Sequence, residues 1–220
     1  MPPRKSAVAE PEPVNLGYSP EDVQLPRLSV IGKLSKLIDT GLVKPGNIAI
    51  GADSEDEDSQ VFDALNGTEP VRLYVLNMHA NYACSFKDKE ADPDLNGLWE
   101  EGDEDMPPEA KRQFNYTFYI PDHSTVLPVK YTCAATAARE GRKVNSKLAT
   151  AAIGGKQTYE SCFAMSTKIY TGGKFSWPGP VFSLAEAVPS EVAAAKNMHD
   201  LMFGPVRTAI AESSDSKPAL

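Results

Sequence analysis

The alternation of apolar and polar positions divides this chain into strands of period two, with helical spacing confined to a few stretches. From Arg112 to Ile120 the pattern is clearest: Phe114, Tyr116, Phe118 and Ile120 share one face, while Gln113, Asn115, Thr117 and Tyr119 share the other. That is a half-buried strand. Val126 to Ala134 returns as its partner after the turn Pro121-Asp-His-Ser-Thr125, with Val129, Tyr131 and Cys133 on one face and Lys130 on the other. Tyr159 to Thr171 alternates again, placing Tyr159, Phe163, Met165 and Ile169 inward and Glu160, Ser166, Lys168 and Tyr170 outward; it turns at Gly172-Gly173 into a short strand from Phe175 to Trp177. Val71 to Phe86 is apolar on both faces and reads as a long central strand, bent near Asn77 to Asn81. Asn47 to Gly51 is a shorter strand after the Pro45-Gly46 turn, and Leu25 to Asp39 mixes strand and helix signals.

Two helices interrupt this pattern. Val144 to Ile153 has an Asn145-Ser146 cap, an Ala-rich body and a Gly154-Gly155 stop, and a closing helix from Ser190 carries Val192, Ala195, Met198, His199, Met202 and Phe203 at helical spacing. Five or six short strands with a helix before the last pair describe a small closed barrel better than a sandwich or a βαβ sheet. The expected fold is therefore mainly β: an OB-fold-like barrel over residues 25–204 with a short inter-strand helix and a C-terminal helix. Residues 1–24, rich in Pro, Glu, Ala and Ser, are expected to be a disordered arm, and 205–220 a polar tail.

Charge changes the picture. The chain carries −8 overall, yet residues 110–175 hold ten cationic side chains against Asp122, Glu140 and Glu160, a local excess of seven. The acid lies elsewhere, in an insertion at 53–58 and in a second at 88–109 that sets ten carboxylates against Lys89 and reads as a mobile surface loop. Screening over roughly 8 Å in cellular salt keeps distant acid from cancelling a local cationic surface. Glu100 to Asp105, if flexible, could fill that surface when no other polyanion does.

Aromatic rings interleave with the cations, and a cationic groove with exposed rings is what a single strand of nucleic acid requires: phosphates are neutralised and bases stack without being read. Lys130, Lys168, Tyr119 and Tyr170 fall in the polar phase of their strands and are candidates for one concave face, with Lys174 and Trp177 at its edge. Arg139, Arg142, Lys143 and Lys147, around the flexible point Gly141, read as a mobile loop leading into a helix and able to clamp phosphates. Phe114, Tyr116, Phe118 and Phe163 lie in the apolar phase and belong to the core.

No catalytic residue, cofactor or metal is expected. A metal-dependent nuclease needs carboxylates held on rigid strands, whereas most acids here sit in charge runs; Asp122-His123 reads as a turn, and Gly154-Gly-Lys-Gln157 lacks the framework of a phosphate-binding loop. His79 and His199 are expected to be packed. Cys84, Cys133 and Cys162, odd in number and far apart, are expected to be buried reduced thiols. With no run of about 18 apolar residues and no signal-like N-terminus, an intracellular, cytoplasmic protein is expected.

The opening Leu25-Pro-Arg-Leu, the turn Lys44-Pro-Gly-Asn47, Lys168-Ile-Tyr170, the strand Lys174-Phe-Ser-Trp-Pro178 and the helix start Glu191-Val-Ala-Ala-Ala-Lys196 together resemble the single-stranded DNA-binding proteins of tailed bacteriophages, which carry one OB-fold. The resemblance spans residue 25 to the end of the last helix. It implies coating of exposed strands during phage DNA replication, recombination or repair in the host cytoplasm. Replication or recombination proteins would be further partners, although Glu212 to Leu220 departs from the strongly acidic tip of bacterial proteins of like function, with two acids and one Lys. Duplex DNA is also open as a partner, because phosphate contacts do not exclude it. The competing expectation is a structural or recombination-accessory protein whose barrel binds another protein.

Overall fold

The computed structural model describes residues 25–51, 61–65, 69–121, 123 and 127–204. The expected N-terminal arm, the acidic insertion at 53–58, Asp122 and the tail from 205 lie outside the described residues.

The fold is mainly β, a single curled sheet forming an OB-like half-barrel. Its strands are β1 (Arg27–Val30), β2 (Ile48–Gly51), β3 (Val61–Leu65), β4 (Val71–Ala83), β5 (Leu98–Trp99), β6 (Lys111–Tyr119), β7 (Val129–Cys133), β8 (Cys162–Gly172) and β9 (Phe175–Leu184). They run in the order β3-β2-β1-β7-β6-β4-β8-β9, with β5 also paired to β4. All pairs are antiparallel except β1 with β7. Nine strands exceed the expected five or six because β1, β3 and β5 are too short, or too mixed in composition, to show a period.

Curling brings the two ends of the sheet together. Thr167 Oγ1 on β8 donates to the Gly46 carbonyl in the β1–β2 turn at 2.6 Å, and Lys33 Nζ donates to Ser176 Oγ on β9 at 2.8 Å. The concave side is filled by the apolar phases that alternation marks: Phe114, Tyr116 and Phe118 of β6 meet Val129, Tyr131 and Cys133 of β7 and Phe163 and Met165 of β8, all buried. Helix α2 (Ala138–Ile153) closes this core with Val144 and Leu148. The three cysteines are buried and free.

A second core lies against α3 (Pro189–Phe203), where Tyr74, Leu76, Cys162 and Ala195 are buried. A bulge makes this possible. The β4–β6 register skips between Val75, opposite Phe118, and Asn77, opposite Thr117, so Leu76 is an extra residue beside the expected bend. Glu191 fixes α3 to the sheet: its Oε2 accepts from Tyr74 Oη at 2.6 Å and from Arg72 Nη2 at 2.9 Å, while the Val188 amide donates to the Tyr74 hydroxyl at 3.0 Å. Burial, reinforced by the Glu191 hydrogen bond, pushes the Tyr74 phenol up to about 12, so it stays a donor at neutral pH. Glu191→Ala removes the acceptor under a buried hydroxyl and is expected to lower stability by about 1.5 kcal/mol, the low end for a hydrogen bond to a charged group. Urea unfolding followed by far-UV circular dichroism measures it.

The acidic insertion at 88–109 is a folded segment and not a mobile loop. Ser85 and Asp88 form a reciprocal capping box at the start of α1 (Phe86–Ala91), and β5 follows, with Trp99 only 8% exposed. Glu100 Oε1 lies 2.9 Å from His79 Nε2, and Glu101 Oε2 lies 3.5 Å from Arg112 Nη2. These pairs sit toward the Ala83 end of β4, whereas β8 pairs with the Val71 end and runs onward from there. Glu100 and Glu101 are therefore placed at the far end of the sheet from the β8–β9 turn, and in this structure the segment does not fill the cationic surface. His79 is half-exposed on a carboxylate, not packed; His199 does pack, between Tyr159 and Phe203.

Candidate nucleic-acid interface

The β8–β9 hairpin carries the site. Its register sets Tyr170 opposite Trp177 and Lys168 opposite Gly179, so these four share a face. The rings lie flat because glycine lies beneath each: a Cβ on Gly179 would come within 2.9 Å of the Tyr170 ring, and one on Gly172 within 3.0 Å of the Trp177 ring. Tyr170 Oη donates to the Pro180 carbonyl at 2.9 Å, which pins the ring down. The two rings are nearly parallel, with an interplanar angle of 14° and centroids 6.4 Å apart. Lys168 Nζ sits 4.6 Å from the Tyr170 centroid. A two-ring platform with a cation on it results.

Further cations surround it. Lys174 is exposed in the hairpin turn beside Phe175, which is 78% exposed, while Lys33 reaches the opposite face of the hairpin through Ser176. Arg139, exposed in the first turn of α2, lies close enough to draw the Tyr170 phenol downward, against the larger upward push of burial and a second from Glu140.

From Arg139 the cations continue along α2. Residues 139, 143 and 147 recur at intervals of four and so share one face over about 12 Å, with Arg142 beside them. All four cations are exposed. Glu140 is the acid within this band; it is buried at 4% exposure, and its Oε1 accepts from Lys143 Nζ at 2.5 Å. Lys143 and Lys147 rim a small cleft of 230 Å³ between α2 and the end of the β8–β9 pair, floored by Val144, Phe163, Phe182 and Leu184.

No family model, curated protein or solved structure matches this chain.

Eight of the ten expected binding residues lie on two elements: Lys168, Tyr170, Lys174 and Trp177 on the hairpin, and Arg139, Arg142, Lys143 and Lys147 on α2. The other two do not. Tyr119 packs against the core under α3, its centroid 6.2 Å from Tyr74, because the outer face of β6 is covered there. Lys130 is exposed on the face of β7 opposite buried Tyr131, in register with Thr117 and Arg27. The Arg139–Lys147 stretch is regular helix from Ala138 onward, not a mobile loop. Gly141 is there for close approach: a Cβ would come within 2.7 Å of Phe114 and 2.9 Å of Cys133. Asn145 and Ser146 are helix-interior residues, with Asn145 Oδ1 2.6 Å from Tyr116 Oη and Ser146 Oγ donating to the Arg142 carbonyl.

Lys33 is a cation that strand phase does not reveal, since only the curl brings it to Ser176 across 143 positions. The glycines beneath the rings were the readable signal: Tyr170-Thr-Gly172 and Trp177-Pro-Gly179 each place a glycine two residues after a ring. Gly179→Ala is expected to lift the Tyr170 ring and weaken oligonucleotide binding about threefold to tenfold with the fold intact. Fluorescence titration alongside a thermal melt would show it; unchanged affinity would mean the flat ring is irrelevant.

Among the described residues no cluster of His, Cys, Asp and Glu suits a metal ion, and no helix is long and apolar enough to cross a membrane.

Proposed function

We propose that this protein binds single-stranded DNA with little sequence preference, coats transiently exposed strands, and acts by binding rather than catalysis in phage DNA replication, recombination or repair. The observation that carries the proposal is the Tyr170–Trp177 pair lying flat on glycine, with Lys168 on the platform and the cationic face of α2 beginning beside it. Every base has a π face, so a ring platform accepts any base, and each stacked base contributes about 1–3 kcal/mol. The lysines and arginines neutralise phosphates, which adds affinity without reading sequence. The resemblance of Lys168-Ile-Tyr170 and Lys174-Phe-Ser-Trp-Pro178 to phage strand-coating proteins supports the same function. Those two segments are the two sides of the platform.

Oligonucleotide binding at graded salt tests it. Affinity is expected to fall with salt at a log-log slope of about −0.7 per phosphate neutralised. Trp177 fluorescence should quench while buried Trp99 changes little, and oligo-dT and mixed-sequence strands should bind alike. A flat salt response with unquenched Trp177 would reject strand binding and favour a barrel that docks another protein.

A further inference from the structure

Given single-strand binding, we infer that the cleft between α2 and the end of the β8–β9 pair is a second base subsite, taking one nucleobase of the bound strand while Lys143 and Lys147 hold its flanking phosphates.

Three features converge on that occupant. The cleft measures 230 Å³, below the roughly 300–1,000 Å³ of sites that hold drug-sized molecules, which suits one planar ring system. Its floor is apolar, with Leu184 57% exposed and the edges of Phe163 and Phe182 behind it, so a base covering that floor removes apolar surface from water. Its rim is cationic on the α2 side, where Lys143 is held by buried Glu140 and Lys147 lies one turn further on.

The cleft also continues the cationic line. Arg139, whose charge reaches the Tyr170 phenol, begins the line in the first turn of α2, and Lys147 is about 12 Å further along the helix axis. A strand whose first base stacks on the hairpin and whose backbone follows α2 passes the mouth of the cleft. An apolar recess beside a row of phosphate-binding cations suits a nucleotide, which is planar and apolar at the base and anionic at the backbone. A wholly apolar peptide would bring no anion to Lys147, the rim cation that Glu140 does not neutralise.

Photo-crosslinking tests the subsite on the full chain. Short oligo-dT carrying 4-thiothymidine is irradiated with the protein, and crosslinked peptides are mapped by mass spectrometry. Two sites are expected, one on the hairpin around Tyr170 to Trp177 and one around Ser183-Leu184 or on α2 between Lys143 and Lys147. Ser183→Trp fills the cleft from an exposed position; it should abolish the second crosslink, retain the first and weaken binding about tenfold. Leu184→Glu, which puts a carboxylate at the mouth, should do the same, and a thermal melt of each variant establishes that it is folded. Crosslinks confined to the hairpin, or a second crosslink that survives both folded variants, would overturn the subsite while leaving strand binding in place. Failure of the wild-type protein to bind the oligonucleotide at all would overturn both.

Discussion

Replacing Lys168 and Tyr170 together by alanine is expected to weaken single-strand binding by about 2–4 kcal/mol, roughly 30- to 1,000-fold, without unfolding the half-barrel. The loss has two parts. Tyr170 supplies one stacking surface, worth about 1–3 kcal/mol, and its removal also takes away the ring beside Trp177. Lys168 supplies a phosphate contact, so the salt slope should become shallower by about 0.7. The fold should survive because Lys168 is exposed and Tyr170 contributes to the hairpin surface, while the adjacent core residues Phe163, Met165 and Phe182 are untouched. The slope separates this result from general damage: a partly unfolded protein loses affinity at every salt concentration, whereas loss of one phosphate contact costs most at low salt. Unchanged affinity in a folded double variant would dismiss the hairpin as the binding surface.

How much of this was legible in the sequence depends on what each signal reports. Alternation along β6 and β8 located Phe114, Tyr116, Phe118 and Phe163 in the core, because one face of each strand is packed and phase is a direct consequence of that. Phase names a face but not what covers it. Tyr119 shares the polar phase of β6, yet α3 covers that end of the outer face, and only the Val75–Asn77 bulge and the placement of Glu191 show this. Composition had a similar reach for the acidic insertion: ten carboxylates do keep it at the surface, but Asp88 in its capping box and Glu100 on His79 hold it in place. Gly141 read as a flexible point because glycine is a poor helix former, and it lies inside α2 because Phe114 and Cys133 leave no room for a side chain. The cations were legible as a list of residues and not as a surface, since the hairpin and α2 meet only after the sheet has curled.

Adjacent residues on β6 give the sharpest contrast of all. Phe118→Ala is expected to lower stability by about 3–5 kcal/mol, the cost of deleting a buried aromatic ring together with the cavity it leaves. Phe118 has no exposed surface, and its ring stacks on Tyr116 with centroids 5.4 Å apart and on Phe182 at 6.3 Å. It therefore joins β6 to β9, the strand that carries Trp177. Tyr119→Ala should lower stability too, by about 2 kcal/mol, through the separate core under α3, and should leave oligonucleotide affinity unchanged once the protein is folded. Urea unfolding with a strand-binding titration of each variant decides the matter. If Tyr119→Ala kept full stability and lost strand affinity, the polar phase of β6 would be a binding face after all, and the band on the hairpin and α2 would have to extend around the sheet to reach it.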